Sequence, residues 1–291
     1  MSVRLTLAAI TDEYSQNLDE ALGAMAEAGM TGVELRTVAG KNIVDCTDAE
    51  LDDIRARVEG RGMRILSLAS PIFKCTLPSG PPIDTRFQQD VFGSPRTFAD
   101  QPALIERTLE VAARTGAGII RVFSYWRTTQ PFSCFGAIAA ALEGLAERAD
   151  PHGFVIGLEN EHACNVATAV ETSRLLQLVS HEALQIIWDP ANALVAGEAS
   201  PFPDGYNLLP KRRIAHVHAK DCFVTGHTPT WTNIGENLDW RQQIRALVDD
   251  GFRGAISLET HWKGPNHDKL EASRLAAARL REYVDQAVAD S

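Results

Sequence analysis

The sequence predicts an α/β fold, a single (β/α)₈ barrel, and three observations carry that prediction. Eight short apolar or alternating runs read as strands, each is followed by a stretch with helical spacing, and the alternation runs through all 291 residues without a break in composition. Eight such units in 291 residues average about 36 residues each, which suits a barrel. A doubly wound sheet is the competing arrangement, but no GxGxxG follows the first strand and no GxxxxGK(S/T) occurs anywhere, so no nucleotide phosphate cradle is signalled. The whole of 1–291 is expected to form one domain.

In chain order the strands are expected at Arg4 to Ile10, Gly32 to Arg36, Arg64 to Ala69, Gly118 to Phe123, Phe154 to Glu159, Gln185 to Asp189, Ile214 to His218 and Ala255 to Thr260. Between them Leu51, Ile54 and Val58, then Ile138, Leu142 and Leu145, then Trp240, Ile244 and Leu247 recur at three-to-four spacing, each set supplying one buried helix face. Ala277, Leu280, Val284 and Val288 give a closing helix, about 267–289, the same spacing, and it is expected to pack outside the barrel. Asp48 and Asp239 stand where helix N-caps are expected. Two connections that follow strands are long: Ser70 to Gln101, rich in proline, and Phe223 to Leu238. Such loops build a barrel's mouth. Phe73, Phe87, Phe92, Tyr125, Trp126 and Trp231 suggest a lid or a subunit contact there, which leaves room for a homo-oligomer.

Composition sets the outer limits. With 45% hydrophobic and 23% charged residues, the chain has ample material for a large core. Twenty-eight basic against 38 acidic residues give a net charge of −10, which argues against a nucleic-acid or anionic-membrane surface. No apolar run is long enough to span a membrane, and the start meets Asp12 and Glu13 too soon for a signal segment. A cytoplasmic protein is therefore expected. Cys46, Cys75, Cys134, Cys164 and Cys222 are odd in number and form no CxxC, so they read as reduced packing residues.

The chemistry-bearing feature lies at the carboxyl ends of the last four strands, which close on Glu159, Asp189, His218 and Glu259. The steps from 159 to 189, 218 and 259 are 30, 29 and 41 residues, about one βα unit each, so a barrel would bring the four to one rim. Three convergent carboxylates repel one another unless something neutralises them. A divalent cation, Mn²⁺, Mg²⁺, Co²⁺ or Zn²⁺, suits this oxygen-rich set with one imidazole. Alternation adds inward-facing pairs: His216, His218 and Lys220; Glu159 and Glu161; Glu259 and His261; Glu34 and Arg36. His216 lies one layer deeper than His218 and is expected to make a core hydrogen bond.

The segments Gly157-Leu158-Glu159-Asn160, Trp188-Asp189-Pro190-Ala191-Asn192, His216-Val217-His218-Ala219-Lys220-Asp221 and Ser257-Leu258-Glu259-Thr260-His261 resemble the sugar phosphate isomerase/epimerase group of the xylose-isomerase-like TIM barrel superfamily. Ile10-Thr11-Asp12-Glu13, Gly32-Val33-Glu34-Leu35-Arg36, Ser70-Pro71-Ile72-Phe73-Lys74 and Ile234-Gly235-Glu236 extend the resemblance over most of the chain. It implies one divalent metal on Glu159, Asp189, His218 and Glu259, with the two glutamates also exchanging protons with substrate. Ketose 3-epimerases of this superfamily usually carry histidine three residues after the metal-binding aspartate, where this chain has Asn192. Keto-inositol isomerases, hydroxypyruvate isomerases and inosose dehydratases therefore stay open, while the superfamily's three-zinc DNA-repair endonucleases need more histidines than these strand ends offer.

The expected chemistry belongs to carbohydrate metabolism: a sugar or polyol ketone is converted through a metal-stabilised enediolate, with Glu159 and Glu259 as proton carriers. Arg36, Lys74, Asn192, Lys220 and His261 are the candidate substrate contacts. The alternatives are an inosose-type dehydratase on the same site and a sugar-binding barrel without turnover.

Overall fold

The structure, a computed structural model, describes residues 5–87 and 95–289. Eight parallel strands close into a barrel: β1 Thr6–Ile10, β2 Gly32–Leu35, β3 Arg64–Leu68, β4 Ile119–Val122, β5 Val155–Glu159, β6 Leu184–Trp188, β7 Ile214–Ala219 and β8 Ala255–Leu258. Consecutive strands are neighbours, and β8 returns to β1 with Ala255 opposite Thr6 to seal the ring. All eight expected runs become staves, with ends shifted slightly: Arg36, Ala69, Phe123, Asp189 and Thr260 lie just past the ladders, and Arg4 lies outside the described residues. The ladder stops where the chain turns outward into the next loop, so the last polar residue of a run need not be laddered. Gly157 in β5 is a packing requirement, because a Cβ there would come within 2.7 Å of the Ile187 side chain on β6.

The outer layer consists of α1 Leu18–Glu27, α2 Asp48–Glu59, α3 Gln101–Thr115, α4 Phe135–Ala149, α5 Ala169–Leu176, α6 Pro190–Val195, α7 Trp240–Asp249 and α8 Lys269–Ala289. The apolar stripes read from the sequence face the barrel: Leu51, Ile54 and Val58 on α2, Ile138, Leu142 and Leu145 on α4, and Trp240, Ile244 and Leu247 on α7 are all buried. Asp239 caps α7, accepting the Gln242 amide at 3.0 Å. Asp48 does not cap α2. Thr47 does, in a reciprocal box with Glu50, and Asp48 becomes the first helical residue, paired with Arg107 and Arg114 of α3. The reason is reach: a threonine hydroxyl one residue earlier meets the Glu50 amide while Glu50 returns to the Thr47 amide.

Helix α8 packs against α7 and α1 and fixes the first rim loop, with Lys269 Nζ donating to the Asp12 carbonyl at 2.8 Å and Ser273 Oγ to the Glu13 carbonyl at 2.7 Å. After β7 the chain makes an antiparallel hairpin, Asp221–Thr225 with Thr228–Thr232. Phe73, Phe87, Tyr125 and Trp126 are buried within this chain, Trp231 is half-buried, and Phe92 lies outside the described residues. All five cysteines are free and buried. No helix of the described residues is long and apolar enough to cross a membrane.

Candidate metal centre

The four strand ends meet. Glu159 is the last residue of β5, His218 lies within β7, Glu259 follows β8, and Asp189 follows β6 as the N-cap of α6, where its Oδ1 accepts the Asn192 amide at 2.8 Å. Each of the four offers one ligand atom, and these atoms lie within 4.8 Å of one another. His218 Nδ1 stands 3.2 Å from Glu159 Oε1 and 3.3 Å from Glu259 Oε2, so that nitrogen faces the carboxylates. Its Nε2 turns the other way, 3.1 Å from Glu34 Oε2. Below it His216 Nε2 meets the same Glu34 oxygen at 3.0 Å, the core hydrogen bond expected of that histidine. Glu34 also accepts Ser257 Oγ at 2.9 Å and Ser67 Oγ at 3.2 Å.

The carboxylates are not left to repel one another. Lys220 Nζ lies 2.8 Å from Asp189 Oδ2 and 2.9 Å from Glu259 Oε2. Arg36 Nη1 donates to Glu259 Oε1 at 2.8 Å, while its remaining donors hold Asp12 and Glu13. Arg121 Nη1 stands 3.3 Å from Glu159 Oε2 and 3.9 Å from Glu259 Oε1. Arg121 was not among the residues singled out from the sequence. A lone arginine in the apolar run Ile119-Ile120-Arg121-Val122 was the signal that could have found it.

These contacts set the charge states. Burial pushes the Glu259 carboxyl up, but Lys220, His218 and His261 outweigh it and hold the group well below the usual range. Burial likewise works against the His218 imidazolium, yet Glu34, Glu159 and Glu259 keep its pKa well above 6.5. For Asp189 burial wins over Lys220 and, with Glu159 and Glu259 adding repulsion, raises it to about 6. Two buried oxygens, Glu159 Oε2 and Asp189 Oδ2, accept no directed hydrogen bond and are met by cations instead, Arg121 at 3.3 Å and Lys220 at 2.8 Å. Three convergent carboxylates beside an imidazole nitrogen match the donor set of a divalent cation, so the residues present fit one.

A cavity of about 510 Å³ opens beside this cluster, lined in part by Lys74, Arg121, His162, Trp231, Glu259 and His261. Both long connections border it, the first through Lys74 and Arg86 and the second through the hairpin residues His227, Thr228, Pro229 and Trp231. Of the candidate substrate contacts, Lys74 and His261 line the cavity. Arg36, Asn192 and Lys220 lie buried beneath it, engaged with carboxylates. Asn192 bridges Glu159 Oε1 and Glu161 Oε2 with its amide nitrogen at 3.1 and 3.2 Å and meets His162 Nδ1 with its oxygen at 2.9 Å. His261 takes a left-handed backbone with φ of 51°, its ring meeting Glu13 Oε1 at 3.1 Å and Trp231 edge-on at 5.0 Å between centroids.

The family model described as xylose isomerase-like TIM barrel matches residues 22–283. The chain belongs to the xylose isomerase-like TIM barrel family. Proteins of solved structure share the fold at low identity. A xylose isomerase-like TIM barrel/4-hydroxyphenylpyruvate dioxygenase fusion protein superposes with a TM-score of 0.71 at 18% identity, covering 97% of this chain, which spans only 44% of that one. IolI protein with a bound zinc atom gives 0.69 at 17% identity over 98% of this chain and 97% of that one. D-psicose 3-epimerase in the presence of D-fructose gives 0.64 at 20% identity, with 98% of each chain covered. No curated protein matches the sequence.

Proposed function

We propose that this family member is a divalent-metal-dependent isomerase or epimerase acting on a sugar or polyol ketone, with Glu159, Asp189, His218 and Glu259 holding the metal and Glu159 and Glu259 exchanging protons with substrate. The observation that carries this reading is the convergence of four buried donors, two of whose carboxylate oxygens accept no directed hydrogen bond. The zinc in IolI and the epimerase activity named for a second structural neighbour support it. When bound, the cation would polarise the ketone carbonyl and stabilise the negative charge that follows loss of the α-proton. The chain's own residues divide the remaining work. Glu259, tied by Arg36 and Lys220, is held ionised. Glu159, with one oxygen free of hydrogen bonds, is the less restrained base. Asn192 donates to the Glu159 carboxylate and restrains it, and Lys74, His261 and Trp231 border the space a polyol would fill.

The test is incubation with a panel of ketoses, inososes and hydroxypyruvate in D₂O with metal supplied, followed by NMR. An isomerase or epimerase places deuterium beside the ketone and keeps the substrate's mass apart from that exchange; a dehydratase loses one water. Glu259→Gln should keep much of the metal affinity, since an amide oxygen still ligates, yet lower turnover by a factor of 10² or more. Metal binding without exchange or product on any substrate would reduce the reading to a sugar-binding barrel.

A further inference from the structure

The barrel has a second opening at the end where its strands begin, and a cavity of about 490 Å³ lies there, far from the carboxylate rim. Thr6, Arg64 and Ala255, the first residues of β1, β3 and β8, stand in its wall. Three arginines line it, Arg55, Arg64 and Arg253, against one carboxylate, Glu59. Arg55 is already engaged, with Nε donating to Glu59 Oε1 at 2.7 Å and Nη1 to the Arg114 carbonyl at 3.0 Å. Arg64 and Arg253 are exposed, and their side chains make no hydrogen bond or ion pair among the described residues. The chain's net charge is −10, so two cations without acids beside one cavity are not the by-product of a generally basic surface.

A second observation comes from the inner wall. His216 lines the cavity although it is wholly buried, and its Nδ1 has no hydrogen-bond partner. Its Nε2 is committed to Glu34 at 3.0 Å. Nδ1 is thus a buried polar atom without a partner, which a ligand hydroxyl, able either to donate or to accept, would satisfy.

We infer that this opening binds a phosphate group, free or carried by a small hydroxylated ester, with the oxyanion between Arg64 and Arg253 and a hydroxyl directed toward His216. Guanidinium forks match tetrahedral oxyanions, since each offers several fixed N–H donors to several acceptor oxygens. The cavity volume is that of a small-molecule site. The assignment is independent of any metal at the other end of the barrel.

Calorimetric titration of the full chain at low ionic strength, with no divalent metal added, tests it. The probes are inorganic phosphate, glycerol 3-phosphate and, as a neutral control, glycerol. Glycerol 3-phosphate or phosphate should bind saturably to the wild type, glycerol should not, and the tighter of the two anions identifies whether the free ion or the ester is the ligand. The exposed double variant Arg64→Gln/Arg253→Gln, expected to fold normally, should weaken that binding at least tenfold. Lys263→Gln, in the lining of the cavity beside the carboxylate rim at the opposite mouth, should leave it unchanged. No saturable binding of either anion overturns the inference, as does binding that survives the double variant or is lost in Lys263→Gln.

Discussion

Lys220 sits where two of the proposed metal donors point. Its ammonium is within hydrogen-bonding distance of Glu259 Oε2, is 2.8 Å from Asp189 Oδ2, and is fully buried, with Trp240 Nε1 holding its backbone carbonyl at 3.1 Å. A fixed positive charge on those oxygens opposes a divalent ion, and at a separation near 4 Å a unit charge is worth about 4 kcal/mol at an effective dielectric of about 20. Lys220→Met should therefore tighten metal binding by about tenfold or more, read directly by titration of the metal-free protein. Equal or weaker binding would mean that the lysine orients the carboxylates more than it competes for them. The sequence brought Lys220 to the right place by its parity with His218, but as a contact for substrate. Its pairing with Asp189 and Glu259, and that of Arg36 with Asp12 and Glu13, depends on which strand ends are neighbours in space, and a linear reading does not contain that information. For the same reason the charge on the three carboxylates seemed to need a metal, when three internal cations already offset part of it.

At the scale of elements, the strand rhythm and helix faces were legible because period-two and period-3.6 burial are written into the chain. The hairpin after β7 was not, since Phe223 to Leu238 mixes Gly, Thr, Trp and Asn without a clear two-residue turn signal until Gly226 is seen at φ of 63°. Its return to the barrel is organised by one residue, Asp221. Oδ1 accepts the amides of Cys222 and Leu238 at 2.8 and 3.1 Å, and Oδ2 those of Gly235 and Asn237 at 2.9 and 3.2 Å. The turn it gathers admits only glycine at 235, where φ is 79° and a Cβ would meet the Tyr283 hydroxyl at 2.4 Å. Asp221→Ala leaves four amides without their acceptor, some of which water can reach. The expected loss is about 3 kcal/mol, seen as a lower urea midpoint with an unchanged slope. Because the hairpin carries Trp231 into the cavity wall, the same variant should raise KM for whatever substrate the barrel converts.

Across the whole molecule, the barrel interior is polar along its axis at a depth where most of its surroundings are apolar. Glu34, His216, His218, Ser67 and Ser257 are each wholly buried, and Glu34 is the acceptor on which the other four converge. Burial alone would push the Glu34 carboxyl up, but His218 and His216 hold it well below its usual value. Such a cluster is costly unless fully satisfied, and its satisfaction fixes more than stability. By accepting a hydrogen bond from His218 Nε2, Glu34 leaves Nδ1 as the nitrogen presented toward Glu159 and Glu259, the one a metal would take on displacing its proton, as when an outer carboxylate orients a ligating histidine. Glu34→Gln keeps the shape but supplies one acceptor oxygen in place of two and adds an N–H that opposes the histidine donors. Metal affinity should then fall by about 10- to 100-fold. Ser67→Ala, which removes only one donor from the same carboxylate, should change it little. If both variants weaken metal binding equally, the effect is loosened packing along the axis; if only Glu34→Gln does, the charge and its hold on the His218 ring are responsible, and the polar axis is part of the rim's chemistry.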